Sequence, residues 1–177
     1  MVQKSPPAMG EYGYCFPLTD YYSYKLLYRL LAAGIQPRVA TVPFELNENG
    51  TVKKFAVGTV VVYNKVEEMS KEAVYKIITE SVKEVNVPIC PLNSGTGEKI
   101  DLGSKSFKQI TLPKIAILCG SGAAASETGE LWYLLDQKFS IAATMLDVGK
   151  VSTADLSAYN IIVINGNYKL GTRGVVK

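Results

Sequence analysis

The chain has 177 residues, of which 47% are hydrophobic, enough to fill the core of one ordinary domain or two small ones. Its 19 Lys and Arg residues nearly balance 16 Asp and Glu residues and stand singly, so nucleic acid is not an expected partner. The sequence contains no histidine, which excludes a Cys-His or Ser-His catalytic pair and a His-Glu-His zinc site. Most hydrolase mechanisms are therefore excluded for this chain alone.

The first part of the chain predicts a small α/β domain over residues 12–92, preceded by a proline-containing lead at 1–11. The stretch "YGYCFPL" predicts a strand over 12–18. Leucines that recur at helical spacing then predict a helix over about 20–33. Gly34 would end this helix, because glycine tolerates the left-handed conformation of a helix C-terminus.

Two further strands, a second helix and a last strand complete this domain. "PRVATVPFEL" (37–46) and "KFAVGTVVVYN" (54–64) are rich in β-branched and aromatic residues, and the turn-forming "NENG" between them predicts a hairpin. Ser70 is expected to cap a helix whose valines and isoleucines recur at helical spacing, and "VPICPL" (87–92) returns to strand character. The predicted element order is β-α-β-β-α-β.

A second unit is predicted over 114–177, after a polar linker at 93–113. "KIAILCG" predicts a strand with both faces apolar, a helix follows from about Ser126 to Phe139, and "SIAATMLD" and "NIIVING" predict two more strands of the same buried type. This β-α-β-β pattern begins a doubly wound parallel sheet of the flavodoxin-like or amidotransferase-like kind and leaves it incomplete. We therefore expect a piece of a longer protein, with an uncovered apolar face or strand edge that favours self-association.

A glycine-rich loop follows the first strand of this second unit. Gly120, Gly122 and Ala125 have the Gly-x-Gly-x-x-Ala spacing of a dinucleotide-binding turn, and Asp147 closes the next strand, where an acid can accept ribose hydroxyls. The helix is predicted to start near Ser126, which displaces its positive dipole end from the glycines. The alternative is a small-residue loop that lets the strand and the helix pack closely.

Polar residues at the carboxyl edge of the predicted parallel sheet form a candidate ligand site. "VINGNY" (163–168) ends a strand with a turn-forming Asn-Gly pair, at the edge where α/β sheets bind ligands, and a simple turn is the alternative interpretation. The candidate ligand-binding residues are Gly120, Ser121, Gly122, Ser126, Asp147, Asn165, Gly166 and Asn167.

The three cysteines, Cys15, Cys90 and Cys119, lie far apart in no metal-binding spacing, and we interpret them as small buried hydrophobic residues. Cys119 is not expected to be a nucleophile, because Ile117 occupies the first glycine position of the Gly-x-nucleophile-x-Gly elbow and no histidine can take the thiol proton. No catalytic residue, metal ligand or cofactor is predicted in this chain. No apolar run reaches the length of a membrane span, and "MVQKSPPAMG" lacks the apolar block of a secretion signal.

The phrases "IDLGSKSFKQITLPKIAILCGSGAAASETGELWYLLDQKF" and "DLSAYNIIVINGNY" resemble the region C-terminal to the catalytic domain in large secreted bacterial zinc carboxypeptidases of the carboxypeptidase A type. "YYSYKLLYRLLAAGIQPRVATVPFEL" and "AVGTVVVYN" are similar to the segment that joins the two, so the resemblance covers nearly the whole chain from about Tyr12. It implies a class I glutamine-amidotransferase-like domain, zinc only in a parent peptidase domain, and a secreted or periplasmic location. The segment with the peptidase's His-x-x-Glu pair, distant His and general-base Glu is absent here, and no catalytic residue is carried over.

The leading hypothesis is a non-catalytic accessory or regulatory region that packs on or orients a zinc carboxypeptidase-like domain, or binds a ligand. The first alternative is a domain that binds a small molecule or nucleotide through the loop from Gly120 to Ser126. The second is an amidotransferase-like enzyme whose nucleophile lies beyond residue 177. The expected partners are the peptidase domain of the parent protein and a second copy of the chain.

Overall fold

The computed structural model consists of two compact units, Met1–Leu112 and Pro113–Lys177, which contain helices and several β-sheets. This architecture confirms the predicted α/β class. The described residues are 6–48, 50–65, 69–97 and 99–165. Within these ranges, the helices lack the combined length and apolar content that crossing a bilayer requires.

The first unit is built on an antiparallel five-stranded sheet. In chain order its elements are β1 (Gly13–Pro17), α1 (Ser23–Ala32), β2 (Arg38–Ala40), β3 (Phe44–Glu48), β4 (Thr51–Phe55), β5 (Thr59–Tyr63), α2 (Lys71–Glu84), β6 (Cys90–Leu92) and β7 (Phe107–Gln109). The strand order in the large sheet is β6-β1-β5-β2-β7, and β3 pairs with β4 in a separate two-stranded sheet.

Apolar side chains cover both faces of the five-stranded sheet, because neighbouring residues of a strand point to opposite faces. Tyr14 and Phe16 of β1 belong to the first core cluster, to which α1 and α2 contribute leucines, valines and isoleucines at helical spacing. Cys15, between them, belongs to the second cluster together with Phe44 and Leu46 of β3. The sheet therefore lies between a helical layer and the β3-β4 hairpin.

The predicted hairpin of two long strands was wrong in one respect, since each long strand is divided in two. Pro43 lies between β2 and β3, and Gly58, with φ +82°, lies between β4 and β5. Proline cannot donate to a strand ladder and a left-handed glycine turns the chain, so both chain segments leave the large sheet at these points. The predicted turn between β3 and β4 is confirmed, and there the Asn47 side-chain oxygen accepts a hydrogen bond of 2.8 Å from the Gly50 N–H.

Local signals elsewhere in the first unit are confirmed. The Ser70 hydroxyl oxygen caps α2 by accepting a hydrogen bond of 3.2 Å from the Ala73 N–H.

The segment predicted as a linker, 93–113, contains β7, which pairs with β2. Its Leu102 is fully buried and its Phe107 is 4% exposed, both in the second core cluster. Much of this segment therefore belongs to the core of the first unit.

The second unit contains a parallel three-stranded sheet. In chain order its elements are β8 (Ile115–Cys119), α3 (Ala125–Tyr133), a π-helical turn (Leu134–Lys138), β9 (Ala143–Asp147), two 3-10 turns (Val148–Lys150 and Leu156–Ala158) and β10 (Ile161–Val163). The strand order β10-β8-β9 places the first strand in the centre. The three predicted strands and their helix are confirmed, and the finer flavodoxin-like arrangement stays a prediction.

The outer strands of this parallel sheet are far more exposed than its central strand. Ile117 of β8 is fully buried, whereas Met145 of β9 and both Ile161 and Ile162 of β10 are 43% exposed. The prediction that all three strands are buried on both faces was wrong for β9 and β10. Among the described residues, each outer strand pairs with a neighbouring strand on one side only, and α3 packs against β8 in the centre.

Candidate functional site

The loop between β8 and α3 is a tight turn made by two glycines. Gly120 and Gly122 both have φ +93°, a left-handed conformation that glycine adopts without steric cost. The Ala123 N–H donates a hydrogen bond of 3.0 Å to the Gly120 carbonyl oxygen, and α3 begins at Ala125. Cys119, which ends β8 before this turn, is half-buried rather than fully buried as predicted.

Asp147 lies against this glycine turn. It is the residue of β9 directly opposite Cys119, and a Cβ added to Gly120 would lie 2.4 Å from its Oδ2. The other carboxylate oxygen, Oδ1, accepts a hydrogen bond of 2.7 Å from the Gly149 N–H and so caps the 3-10 turn that follows β9. The structure thus brings Gly120 and Asp147 together, and the close approach explains why the position must be glycine.

The remaining predicted site residues are divided between the loop and α3. Asn165 follows β10, and its Nδ2 donates a hydrogen bond of 2.9 Å to the hydroxyl of Thr128 in α3. Thr128 is 3% exposed, so Asn165 ties the end of β10 to a buried position of the helix. Ser121 is exposed in the loop and Ser126 is exposed in the first turn of α3. Gly166 and Asn167 lie outside the described residues.

The charges at this carboxyl edge do not favour a phosphate. Glu127 lies in the first turn of α3, where its carboxylate already neutralises the positive end of the helix dipole. Asp147 adds a second carboxylate beside Gly120. Phosphate-binding turns instead present free backbone N–H groups and positive charge to the ligand. The geometry therefore favours the interpretation of the glycine loop as a packing turn.

A second cluster, which was not predicted from the sequence, brings two cysteines together in the first unit. Cys15 of β1 lies directly opposite Cys90 of β6 in the antiparallel register. Cys15 is buried as predicted, whereas Cys90 is partly exposed, and the Nζ of Lys53 lies 3.6 Å from the Cys90 Sγ. We call Cys15, Cys90 and Lys53 the thiol cluster.

The two thiols of this cluster are electrostatically unequal. A hydrogen bond from the Cys15 side chain, helped by the Lys53 ammonium and opposed by partial burial, lowers the pKa of Cys90 to about 6. The same hydrogen bond, together with burial, raises the pKa of Cys15. Of the two thiols, Cys90 is therefore the one that ionises more readily.

A cavity of about 370 Å³ lies beside both thiols. Besides Cys15 and Cys90, its lining includes the apolar side chains of Phe55 and Pro88 and the side chain of Lys54. A small molecule in this cavity would therefore contact the two sulfur-bearing residues together.

The sequence predicts that the two cysteines of this cluster lie in strands, but it does not predict that the two strands pair. Cys15 and Cys90 each fall inside a predicted strand, at 12–18 and 87–92. Which strands pair, and in what register, depends on contacts between residues far apart in the chain, so the juxtaposition could not be predicted from spacing.

The described residues contain no group of three or more His, Cys, Asp and Glu side chains arranged to hold a metal ion. Comparison of the chain with protein-family models, with curated proteins and with solved structures finds no match.

Proposed function

We propose that this chain is a non-catalytic accessory region that packs on a zinc carboxypeptidase-like domain and orients it. Two features of the sequence support the proposal. Its phrases resemble the region C-terminal to such catalytic domains, and histidine is absent from the whole chain. Because this chain has no imidazole to bind zinc or transfer protons, the catalysis is assigned to the peptidase domain.

The observation that carries the proposal is an apolar surface on β10, an outer strand of the second unit. Ile162 and the residue two positions on, Ile164, point to the same side of the sheet, and we call these two residues the apolar edge surface; they are 43% and 50% exposed. By contrast, the polar side chains at the carboxyl edge, Asp147 and Asn165, form hydrogen bonds within the unit. The polar side chains of this edge are thus already hydrogen-bonded within the unit, whereas the apolar side chains are exposed. This combination favours a contact with another protein over a catalytic site.

The natural reading frame around this sequence provides the first test. We expect it to encode a His-x-x-Glu pair and a distant histidine upstream of the segment that begins at Tyr12. A reading frame that encodes this sequence without any such zinc-binding set would contradict the proposal.

A binding measurement tests the same proposal on purified protein. The zinc-loaded catalytic domain from that reading frame is titrated with the chain, and the complex is followed by sedimentation velocity. We expect Ile162→Lys to weaken the complex about tenfold or more, because a charge must lose its hydration at the contact.

Val57→Lys is the matched control, since Val57 is an exposed apolar residue of the first unit, at 56% exposure. This variant should bind like the unchanged chain. Absence of a complex, or equal weakening by both substitutions, would contradict a contact through the apolar edge surface.

A second candidate function, nucleotide binding, is favoured by one observation. Gly120 and Gly122 have a left-handed turn geometry of the kind that a dinucleotide site uses. Asp147 lies beside the first of these glycines, where such a site has its acidic residue. To separate the two functions, the melting temperature of the chain is measured with an excess of mononucleotides or dinucleotides. A ligand that binds only the folded state raises the melting temperature. Since Glu127 and Asp147 oppose phosphate, we expect no change, and a rise abolished by Gly120→Ala would favour nucleotide binding instead.

A further inference from the structure

The thiol cluster has the geometry of a pair that can form a disulfide. Cys15 and Cys90 are directly opposite residues on neighbouring antiparallel strands. Opposite residues of such strands have Cα atoms about 4.5–5.5 Å apart, within the range of about 4.4–6.8 Å that disulfides span. Both residues are free thiols in this structure, and both point into the second core cluster or pack against it.

The surroundings give the two sulfurs different roles. Cys90 is partly exposed and lies beside the Lys53 ammonium, which stabilises a thiolate there, whereas Cys15 is 1% exposed. Attack on an external reagent therefore starts at Cys90, and Cys15 is positioned to react second.

The cavity beside the thiols indicates the class of reagent. Its volume of about 370 Å³ suits a small molecule, and its lining includes apolar side chains and Lys54, whose Nζ is paired with the Glu45 carboxylate at 3.3 Å. Lys53, on the adjacent position of β4, places a positive charge 3.6 Å from the Cys90 sulfur, and the Glu48 carboxylate acts on Cys90 in the opposite sense. A small disulfide that bears carboxylates complements the apolar lining and can pair with the Lys53 ammonium.

We propose that Cys90 is a redox-modification site at which a small anionic disulfide reacts, and that Cys15 then converts the adduct into a Cys15–Cys90 disulfide. In the first step the Cys90 thiolate attacks one sulfur of the reagent, a bond from Cys90 Sγ to that sulfur forms, and the other half leaves as a thiolate. In the second step Cys15 loses its proton to the released thiolate, its sulfur attacks Cys90 Sγ, and the second half leaves.

The reaction balances without another reactant. The Cys90 thiolate and the Cys15 thiol are oxidised to one disulfide, and the reagent disulfide is reduced by the same two electrons to two small thiolates, one of which takes the Cys15 proton.

The test uses dithiodiglycolate, a small disulfide with two carboxylates, and peptide mapping of the full chain by mass spectrometry. We expect the reduced chain to yield a peptide pair joined through Cys15 and Cys90. Cys15→Ser should stop at a mixed disulfide on Cys90, and Cys90→Ser should abolish the reaction. Cys119→Ser is the matched control and should behave like the unchanged chain. Linkage through Cys119, or no reaction at Cys90, would overturn the proposal.

Two kinetic measurements need no substitution at the buried Cys15. At about pH 6, Cys90 of the reduced chain should react with iodoacetamide about tenfold faster than a small free thiol, because more of it is thiolate. Its rate should rise with pH through about 6, the pKa that its neighbours impose. A rate profile that rises only near the ordinary thiol pKa of about 8.5 would overturn the assigned role of Cys90.

The charge of the reagent tests the contribution of Lys53. Relative to a small free thiol, dithiodiglycolate should react with Cys90 several-fold faster than cystamine, a small disulfide with two positive charges. Lys53→Gln should remove most of this preference and shift the alkylation profile to higher pH. An unchanged preference and profile would overturn the contribution of Lys53.

Discussion

The two units of this chain distribute their apolar side chains differently. In the first unit the five-stranded sheet has a core cluster on each face, so Tyr14 and Cys15 are both buried although they point in opposite directions. In the second unit the central strand is buried, whereas the outer strands expose Met145, Ile161 and Ile162. The five-stranded sheet is thus covered on both faces by side chains of its own unit, and exposed apolar residues of that unit such as Val57 lie outside it. By contrast, the outer strands of the three-stranded sheet present apolar side chains that a partner can cover.

The largest expected effect compares a core residue of the first unit with an exposed apolar residue of the second. Leu30 of α1 is fully buried in the first cluster, so Leu30→Ala should lower the free energy of unfolding by about 2–5 kcal/mol. Ile162→Ala in β10 should lower it by less than about 1 kcal/mol, because that side chain is already 43% exposed. Urea unfolding followed by circular dichroism measures both values. If the two substitutions lowered the free energy of unfolding equally, the difference in burial between Leu30 and Ile162 would not be supported.

The glycine turn offers a matched pair of substitutions within the second unit. Gly122→Ala meets nothing within 4 Å and should cost about 1 kcal/mol for its left-handed backbone. Gly120→Ala has the same φ but places a Cβ 2.4 Å from the Asp147 carboxylate, and should cost about 2–3 kcal/mol.

The same unfolding measurement in an Asp147→Ala background is the control for this pair. With the carboxylate removed, the two alanine substitutions should cost the same. A persistent difference would show that the close approach to Asp147 is not what requires glycine at position 120.

Features that depend on residues close together in the chain could be predicted from the sequence, whereas features that depend on distant residues could not. The Ser70 cap, the turn after Asn47 and the helix after the glycine loop depend on residues a few positions apart, and all three are confirmed. The place of β7 in the first sheet and the Cys15–Cys90 juxtaposition depend on strands distant in the chain. Residue spacing alone does not identify which of several distant strands pair, or in what register.

The exposure of β9 and β10 escaped prediction for a related reason. The sequence of β10 is as apolar as that of β8, and β9 is apolar apart from Thr144 and Asp147; an apolar run does not reveal whether another layer covers it. Of the candidate ligand site, the meeting of Gly120 and Asp147 followed from the parallel-sheet prediction, whereas the local hydrogen bonds of Asp147 and Asn165 required coordinates.

Self-association of the isolated chain is a further test of the apolar edge surface. If the apolar edge surface is left without its partner, two copies can cover it for each other, and light scattering should report a dimer or larger species at high concentration. Ile162→Lys should raise the dissociation constant about tenfold, whereas Val57→Lys in the first unit should not change it. A strictly monomeric chain would show that this surface has no tendency to associate.

The smallest effect is expected at an exposed ion pair of the first unit, between Arg29 of α1 and Glu84 of α2. The hydrogen bond from Arg29 lowers the pKa of Glu84 below its ordinary value of 4.5. The pair therefore stabilises the folded state above that ordinary value, and this contribution is lost as the pH falls through the lowered pKa.

Glu84→Gln should consequently remove a small part of the fall in melting temperature between about pH 5 and pH 3. Glu80→Gln, at an exposed position of the same helix, is the control and should leave that fall nearly unchanged. The same acid dependence in all three proteins would mean that the pair makes no contribution.

Hydrogen exchange of the full chain, alone and with the zinc carboxypeptidase-like catalytic domain from its reading frame, tests the accessory role most directly. We predict that addition of the domain slows exchange of amides in β10 and leaves β1 and β5, whose apolar residues are already buried, unchanged. Unchanged exchange in β10 at saturating catalytic domain would contradict the proposal that this strand forms the contact.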